Sequence, residues 1–149
     1  MKITDLNIKD VNYIVDNLWD RGRKEIEIFG HTVEGFRAFC KLMIGEPFCS
    51  IICDDVLNPC AVLILRPMGY GKWDVVFQAT EEGFDKVWFS LIRFLKAFSN
   101  VIIEDNDWTL QIQSALTHER THDWITAMGF SWEKTEGPIT TYIKKAVTS

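Results

Sequence analysis

The stretch from Asp74 to Asn106 constrains the fold more than any other part of the chain. It opens with a short apolar run, Asp74-Val-Val-Phe77, and passes through the tight segment Gln78-Ala-Thr-Glu-Glu-Gly83. From Phe84 the apolar positions change period: Phe84, Val87, Trp88, Leu91, Ile92, Leu95 and Phe98 recur at spacings of three and four. That spacing puts them on one wide face of an amphipathic helix, with Lys86, Arg93 and Lys96 mostly off it. In α/β proteins a strand–turn–helix of this kind often sets the N–H groups of the helix start beside a ligand phosphate. Here the turn carries Glu81 and Glu82, which suit the positive end of a helix and repel a phosphate. Val101 to Glu104 fits either an extension of the helix or the start of an extended segment.

The flanking chain reads as further alternation of strands and helices. Lys2 to Leu6 alternates polar and apolar residues, a first strand. Asp10 is a candidate cap for a helix carrying Val11, Ile14, Val15, Leu18 and Trp19 at helical spacing. Thr32 begins a second helix with Glu34 in its first turn, a buried stripe of Phe36, Phe39, Cys40 and Met43, and an end at Gly45-Glu-Pro47. Phe48–Cys53 and Cys60–Leu65 form a hairpin around the turn Asp54–Pro59, and Pro67–Lys72 is a turn before the strand Trp73–Phe77. Trp108, Leu110 and Ile112 alternate with Thr109, Gln111 and Gln113, a strand continuing to Leu116. Glu119–Met128 is a short helix with Trp124, Ile125 and Met128 inward and Gly129 as its C-cap. Phe130–Glu133 and Ile139–Lys144 are two strands joined by Thr135–Pro138.

With 149 residues, no repeats and no linker, the chain reads as a single domain spanning residues 1–149. Its hydrophobic share of 47%, with six Trp and ten Phe, is ample for a packed core. Trp73, Trp88, Trp108, Trp124 and Trp132 are mostly at core-phase positions, which core packing explains better than a ligand cage. A net charge of −5 argues against nucleic-acid binding, which needs a basic surface. No apolar run approaches ~20 residues, so no membrane span is expected. The N-terminus lacks the apolar core of a secretory signal peptide. Cys40, Cys49, Cys53 and Cys60 read as buried thiols of a protein folded in a reducing compartment.

Two constellations bear on chemistry. The element order, the helix Thr121-His-Asp-Trp-Ile-Thr-Ala-Met-Gly-Phe130 and the closing strand Tyr142-Ile-Lys-Lys145 resemble the GNAT-type N-acetyltransferases, in which a short helix ends in Gly-Phe before the last hairpin. The resemblance covers nearly the whole chain and implies an α/β (α+β) fold: a mixed, mostly antiparallel sheet flanked by helices. It also implies an acyl-CoA loop of the form Gln/Arg-x-x-Gly-x-Gly/Ala after the central strand. Gln78 and Gly83 match that pattern, and with Phe77 they are the candidate cofactor-binding residues of a vestigial loop. The middle glycine is replaced by Glu81, which adds bulk and negative charge where the pyrophosphate would lie. The tyrosine that many members carry four residues before the Gly-Phe glycine, as the acid that protonates the leaving thiolate, is here Ile125. An asparagine often found earlier in the family would align near His118. A GNAT-like domain with a lost loop also resembles internal virion proteins of short-tailed bacteriophages.

The other constellation is His118-Glu-Arg-Thr-His122, a literal H-E-x-x-H. On a helix it would put both imidazoles on one face for zinc, with Glu119 as base. Arg120 and Asp123 place charges where such helices usually carry none, and no third ligand is evident, so no metal is expected. No Gly-x-Ser-x-Gly elbow and no phosphate-binding Gly-Lys-Ser/Thr motif occurs. The leading expectation is a non-catalytic GNAT-like protein without a cofactor. It would act through a protein partner or self-association, as a phage component in the virion or the host cytoplasm. The alternative is an acyltransferase using acetyl-CoA on an amine, and the second alternative is a zinc hydrolase through His118, Glu119 and His122. The contact surface expected for the leading reading is Trp19–Phe29, where Ile26 and Ile28 alternate with Glu25 and Glu27 as an exposed strand or arm; the same stretch also fits a connecting segment packed on its own sheet.

Overall fold

The computed structural model describes residues 1–115 and 119–146, and of Glu119 the backbone alone. Among the described residues there are seven strands and five helices. In chain order they are β1 (Lys2–Asp5), α1 (Ile8–Asp16), α2 (Asp20–Ile28), α3 (Val33–Leu42), β2 (Cys49–Cys53), β3 (Pro59–Gly69), β4 (Lys72–Ala79), α4 (Glu81–Asn106), β5 (Thr109–Ser114), α5 (Glu119–Ala127), β6 (Ser131–Glu136) and β7 (Ile139–Lys145). The strands are hydrogen-bonded in the order β1-β2-β3-β4-β5-β7-β6. The β4–β5 pair is parallel, whereas β1–β2, β2–β3, β5–β7 and β6–β7 are antiparallel. This is the mixed, mostly antiparallel α/β class that the resemblance implies. The chain divides into two compact units, Met1–Leu65 with Val76–Trp88, and Arg66–Val75 with Phe89–Ser149.

In the first unit the β1–β2–β3 ladder and the helices around it bury a continuous aliphatic set. Val11, Ile14 and Val15 of α1, Ile51 and Ile52 of β2, and Ala61, Val62 and Ile64 of β3 have no solvent exposure. Each large aliphatic among them contributes about 1.5–3 kcal/mol relative to an exposed side chain. Helix α1 is capped by Asn7, not by Asp10. The Asn7 side chain accepts the Asp10 N–H at 2.9 Å and donates to the Asp10 carboxylate at 2.8 Å. Asp10 is the reciprocal partner three residues inside the helix, which is why an acid there mimics a cap in the sequence. Asn7→Ala should lower stability by about 1 kcal/mol in urea unfolding with an unchanged m-value. Helix α3 starts at Thr32 as expected, its hydroxyl accepting the Gly35 N–H at 2.9 Å. Arg37 then ties α3 to α1 through Asp16 at 2.6 Å and the Asn12 amide at 2.9 Å.

The segment 20–28 is helix α2 and not a strand or an arm. Gly22 and Ile26, four residues apart, form its buried face, and Ile26 is 5% exposed. Of its two isoleucines, Ile28, at 38%, is the one that meets solvent. The alternation of Glu25, Ile26, Glu27 and Ile28 is short enough for helical and extended periods to coincide, and packing of the Gly22–Ile26 face decides between them.

All four cysteines are buried free thiols. Burial raises each of their pKa values, and the Cys40 thiol, with Cys49 nearby, is pushed up to about 12. None is a thiolate nucleophile near neutral pH.

In the second unit β5 lies between β4 and β7. Register pairs Asp74 with Gln111 on one side and Gln111 with Ile143 on the other. Asp74 is buried and accepts hydrogen bonds from Arg66 at 3.2 Å and from the Gln111 amide at 3.5 Å. That polar row buries Gln111 alongside Leu110, so the apolar/polar alternation of β5 does not translate into one wet face. The expected turn Pro67–Lys72 shrinks to Tyr70-Gly71, whose φ values of 55° and 72° fit a two-residue hairpin connection. Helix α4 runs through Val101–Glu104 to Asn106. Trp73 and Trp108 lie against each other with centroids 4.6 Å apart, but Trp88 and Trp132 are 42% and 59% exposed. The buried tryptophan is Trp19, in the first unit.

Candidate functional site

The candidate acyl-CoA loop is the junction of β4 and α4, in the first unit. Gln78 and Ala79 belong to the strand, Glu81 to Gly83 to the helix, and Thr80 alone separates them. Thr80 makes so short a junction stable by satisfying backbone groups on both sides. Its N–H donates to the Cys60 carbonyl at 3.0 Å, its hydroxyl accepts the Gly83 N–H at 2.9 Å, and its carbonyl accepts the Phe84 N–H at 3.0 Å. The Gly83 N–H, one of the helix-start groups that an anion would use, is therefore occupied by the chain itself, and the Phe84 N–H makes the first ordinary bond of the helix.

Gly83 needs to be glycine, for a packing reason. A Cβ there would sit 2.6 Å from the Cys60 Cα and 2.5 Å from the Thr80 hydroxyl, so any larger residue pushes α4 away from β3. Phe77 packs edge-on to Trp19, centroids 6.2 Å apart, and to Phe84 at 6.1 Å. Gln78 is 5% exposed, and both ends of its amide are engaged. Its oxygen accepts the Trp19 indole N–H at 2.7 Å, and its nitrogen donates to the Glu25 carboxylate at 3.2 Å.

Trp19, Gly22 and Glu25 hold this end of β4; the sequence marks their stretch as a contact surface and gives no sign that it belongs to the loop. The Trp19 backbone N–H donates to the Ala79 carbonyl at 3.0 Å, and its ring lies 5.0 Å from Phe84. A Cβ on Gly22 would collide with the Gln78 amide oxygen and the Trp19 ring. Arg21 lies over the indole, 4.8 Å from the centroid, and burial lowers its pKa against the opposing pull of Glu25. Spacing within α2 hints at the Trp19/Gly22/Ile26 face, but the partner in β4 is 59 residues away in sequence.

Electrostatically the junction is acidic. Glu81 and Glu82 are exposed in the first turn of α4, where they complement the helix dipole. Lys86 is shared between Glu82 at 3.6 Å and Asp54 at 3.9 Å.

In the second unit α5 ends in the Gly-Phe pair, and its role is conformational. Gly129 takes φ 95°, its N–H donates to the Thr126 carbonyl and the Phe130 N–H to the Ile125 carbonyl, the paired bonds of a Schellman cap. The Lys144 ammonium reinforces this end, donating to the Met128 carbonyl at 2.8 Å and to Ser99 at 2.6 Å. Ile125, at the position where the resemblance looks for a tyrosine, is buried. His118 and the Glu119 side chain lie outside the described residues. His122 is exposed, and its Nδ1 is 3.0 Å from the Tyr142 hydroxyl, whose pKa burial raises. Among the described residues no group of three or more His, Cys, Asp or Glu side chains is placed to hold a metal.

No protein-family model matches this chain, and no curated protein matches it. Its fold does match solved structures. A GNAT-family acetyltransferase from Bacillus anthracis superposes with TM-score 0.71 at 11% identity, over 96% of this chain and 93% of that one. A variant of a spermidine N-acetyltransferase from Vibrio cholerae gives 0.67 at 10% identity, over 96% and 92%. A GNAT-family acetyltransferase from Listeria monocytogenes gives 0.64 at 13% identity, over 97% and 94%. The chain has the GNAT fold along nearly its whole length. At these identities the likeness concerns the fold and leaves the chemistry to the site. No described helix is long and apolar enough to cross a membrane.

Proposed function

We propose that this chain is a non-catalytic member of the GNAT fold that works through contacts with protein, as a bacteriophage component in the virion or the host cytoplasm would. The observation that carries the reading is the state of Gln78. Its amide is consumed by Trp19 and Glu25 instead of being presented to a ligand. Supporting it, Thr80 caps the helix start and two exposed carboxylates, Glu81 and Glu82, stand beside that start. An acyl-CoA carries a pyrophosphate that must approach backbone N–H groups closely, and each of these features opposes that approach. Phe77, Gln78 and Gly83 are, on this reading, the vestige of a cofactor loop kept for packing.

A second reading has its own support. The solved structures described above are named as acetyltransferases, one for spermidine. An acyl-CoA-dependent transfer to an amine is therefore the alternative activity. Isothermal titration calorimetry with acetyl-CoA separates the two. The non-catalytic reading expects no saturable heat up to millimolar acetyl-CoA. A micromolar Kd would overturn it and restore the transferase, to be followed with polyamine acceptors. The zinc-hydrolase reading draws no support from the described residues.

A further inference from the structure

Helix α4 carries a solvent face whose charges differ in sign at its two ends. Within the second unit Leu91, Ser99, Ile102 and Ile103 are buried, which fixes the inner side of the helix. The outer side presents Phe89, Arg93, Lys96, Ala97, Asn100, Val101 and Glu104, all exposed. At ~100° per residue Arg93, Ala97, Asn100 and Glu104 fall within one narrow stripe. Phe89 at 61% and Val101 at 57% exposure add apolar surface along it.

Arg93 and Glu104 mark the ends of the stripe. On a helix surface charges interact at separations of three and four residues. Arg93 has Phe89, Ser90, Lys96 and Ala97 at those positions, and Glu104 has Asn100, Val101, Asp107 and Trp108, so neither meets an opposite charge there. Eleven residues apart, they stand ~16 Å from one another along the axis. Arg93 lies over the Phe89 ring, with 5.9 Å from guanidinium to centroid. Glu104 and Asp105 add negative charge at the negative end of the helix dipole, where no basic residue offsets them.

We propose that this face of α4 docks on the same face of a second copy of the chain, antiparallel, about a two-fold axis between Ala97 and Asn100. That arrangement is isologous. It sets Arg93 of each copy opposite Glu104 of the other, and Ala97 opposite Asn100. The small Ala97 leaves room for the Asn100 side chain that faces it. The Asn100 amides carry both donors and acceptors, so the two copies can satisfy one another across the axis. A polar residue at the centre of a helix pair also fixes its register. A parallel arrangement would put like charges together, so the charge pattern itself selects the antiparallel one. Pairing also places a cation beside the negative end of each α4, relieving an arrangement that costs the isolated chain stability. A single helix face is small among specific interfaces, so a concentration-dependent dimer is expected.

The proposal rests on the protein-contact reading of function, but the two fail separately: acetyl-CoA titration decides the one and association the other. Sedimentation equilibrium of the intact chain, over a range of protein and salt concentrations, is the test. The wild type should dimerise, more weakly as salt rises. Arg93→Glu and Glu104→Arg should each raise the dimer Kd at least tenfold, and the double charge swap should restore it, with circular dichroism unchanged throughout. Ala97→Glu should abolish the dimer by filling the space that Asn100 needs. A wild type that stays monomeric at every concentration overturns the proposal. So does a dimer indifferent to these substitutions, or one that the double swap fails to restore.

Discussion

Ile26→Asp is expected to cost about 4 kcal/mol or more of folding stability, whereas Ile28→Asp, two residues on, should cost less than about 1 kcal/mol. Ile26 is 5% exposed on the inner face of α2, so the substitution removes a core side chain and leaves a carboxylate in its place. Large-to-small changes at such sites cost about 2–5 kcal/mol, and an unpaired buried charge adds to that. Ile28 is 38% exposed at the last turn of the helix and can turn a carboxylate toward water. Urea unfolding followed by circular dichroism measures both. The contrast is the point, because an extended segment would carry both isoleucines on one face and the two variants would behave alike. Equal effects would mean that α2 is not the helix described.

The same segment shows where sequence periodicity stops informing. Long or strongly punctuated elements could be read directly: α4 from its apolar spacing, α3 from the Thr32 cap, the end of α5 from Gly129. Four alternating residues could not be, because both periods fit and a contact made elsewhere chooses between them. The site divides the same way. The acidity of Glu81 and Glu82 needs no structure to be recognised, and neither does the loss of the middle glycine. The meaning of Gln78 and Gly83 did need one. Both match a cofactor-loop pattern, yet Gly83 is small because the Cys60 backbone of β3 lies against it, and Gln78 faces an indole donated from 59 residues away. A glycine required by close packing and one required by a phosphate look the same in one sequence. The distinction lies in tertiary contacts that no local pattern encodes.

Trp19 should be a sensitive position of the first unit, and the form of its sensitivity tests the account of the loop. Trp19→Ala is expected to cost about 3–5 kcal/mol, because it empties a buried space beside Phe77 and Phe84. Trp19→Phe keeps an aromatic ring but removes the indole N–H, leaving the Gln78 oxygen buried and without that donor. The cost of that change is expected at about 1–3 kcal/mol. Adding Gln78→Leu to Trp19→Phe replaces the orphaned amide with an apolar side chain and should recover part of the loss, though it leaves Glu25 without the Gln78 donor. A double-mutant cycle in urea isolates the coupling between the two positions, expected at about 1 kcal/mol or more for groups in direct contact. Additive costs would mean that the indole–amide bond does not hold the end of β4. The sequestration of Gln78 would then give no reason for a missing cofactor, and the non-catalytic reading would rest on the Thr80 cap and the carboxylates of Glu81 and Glu82.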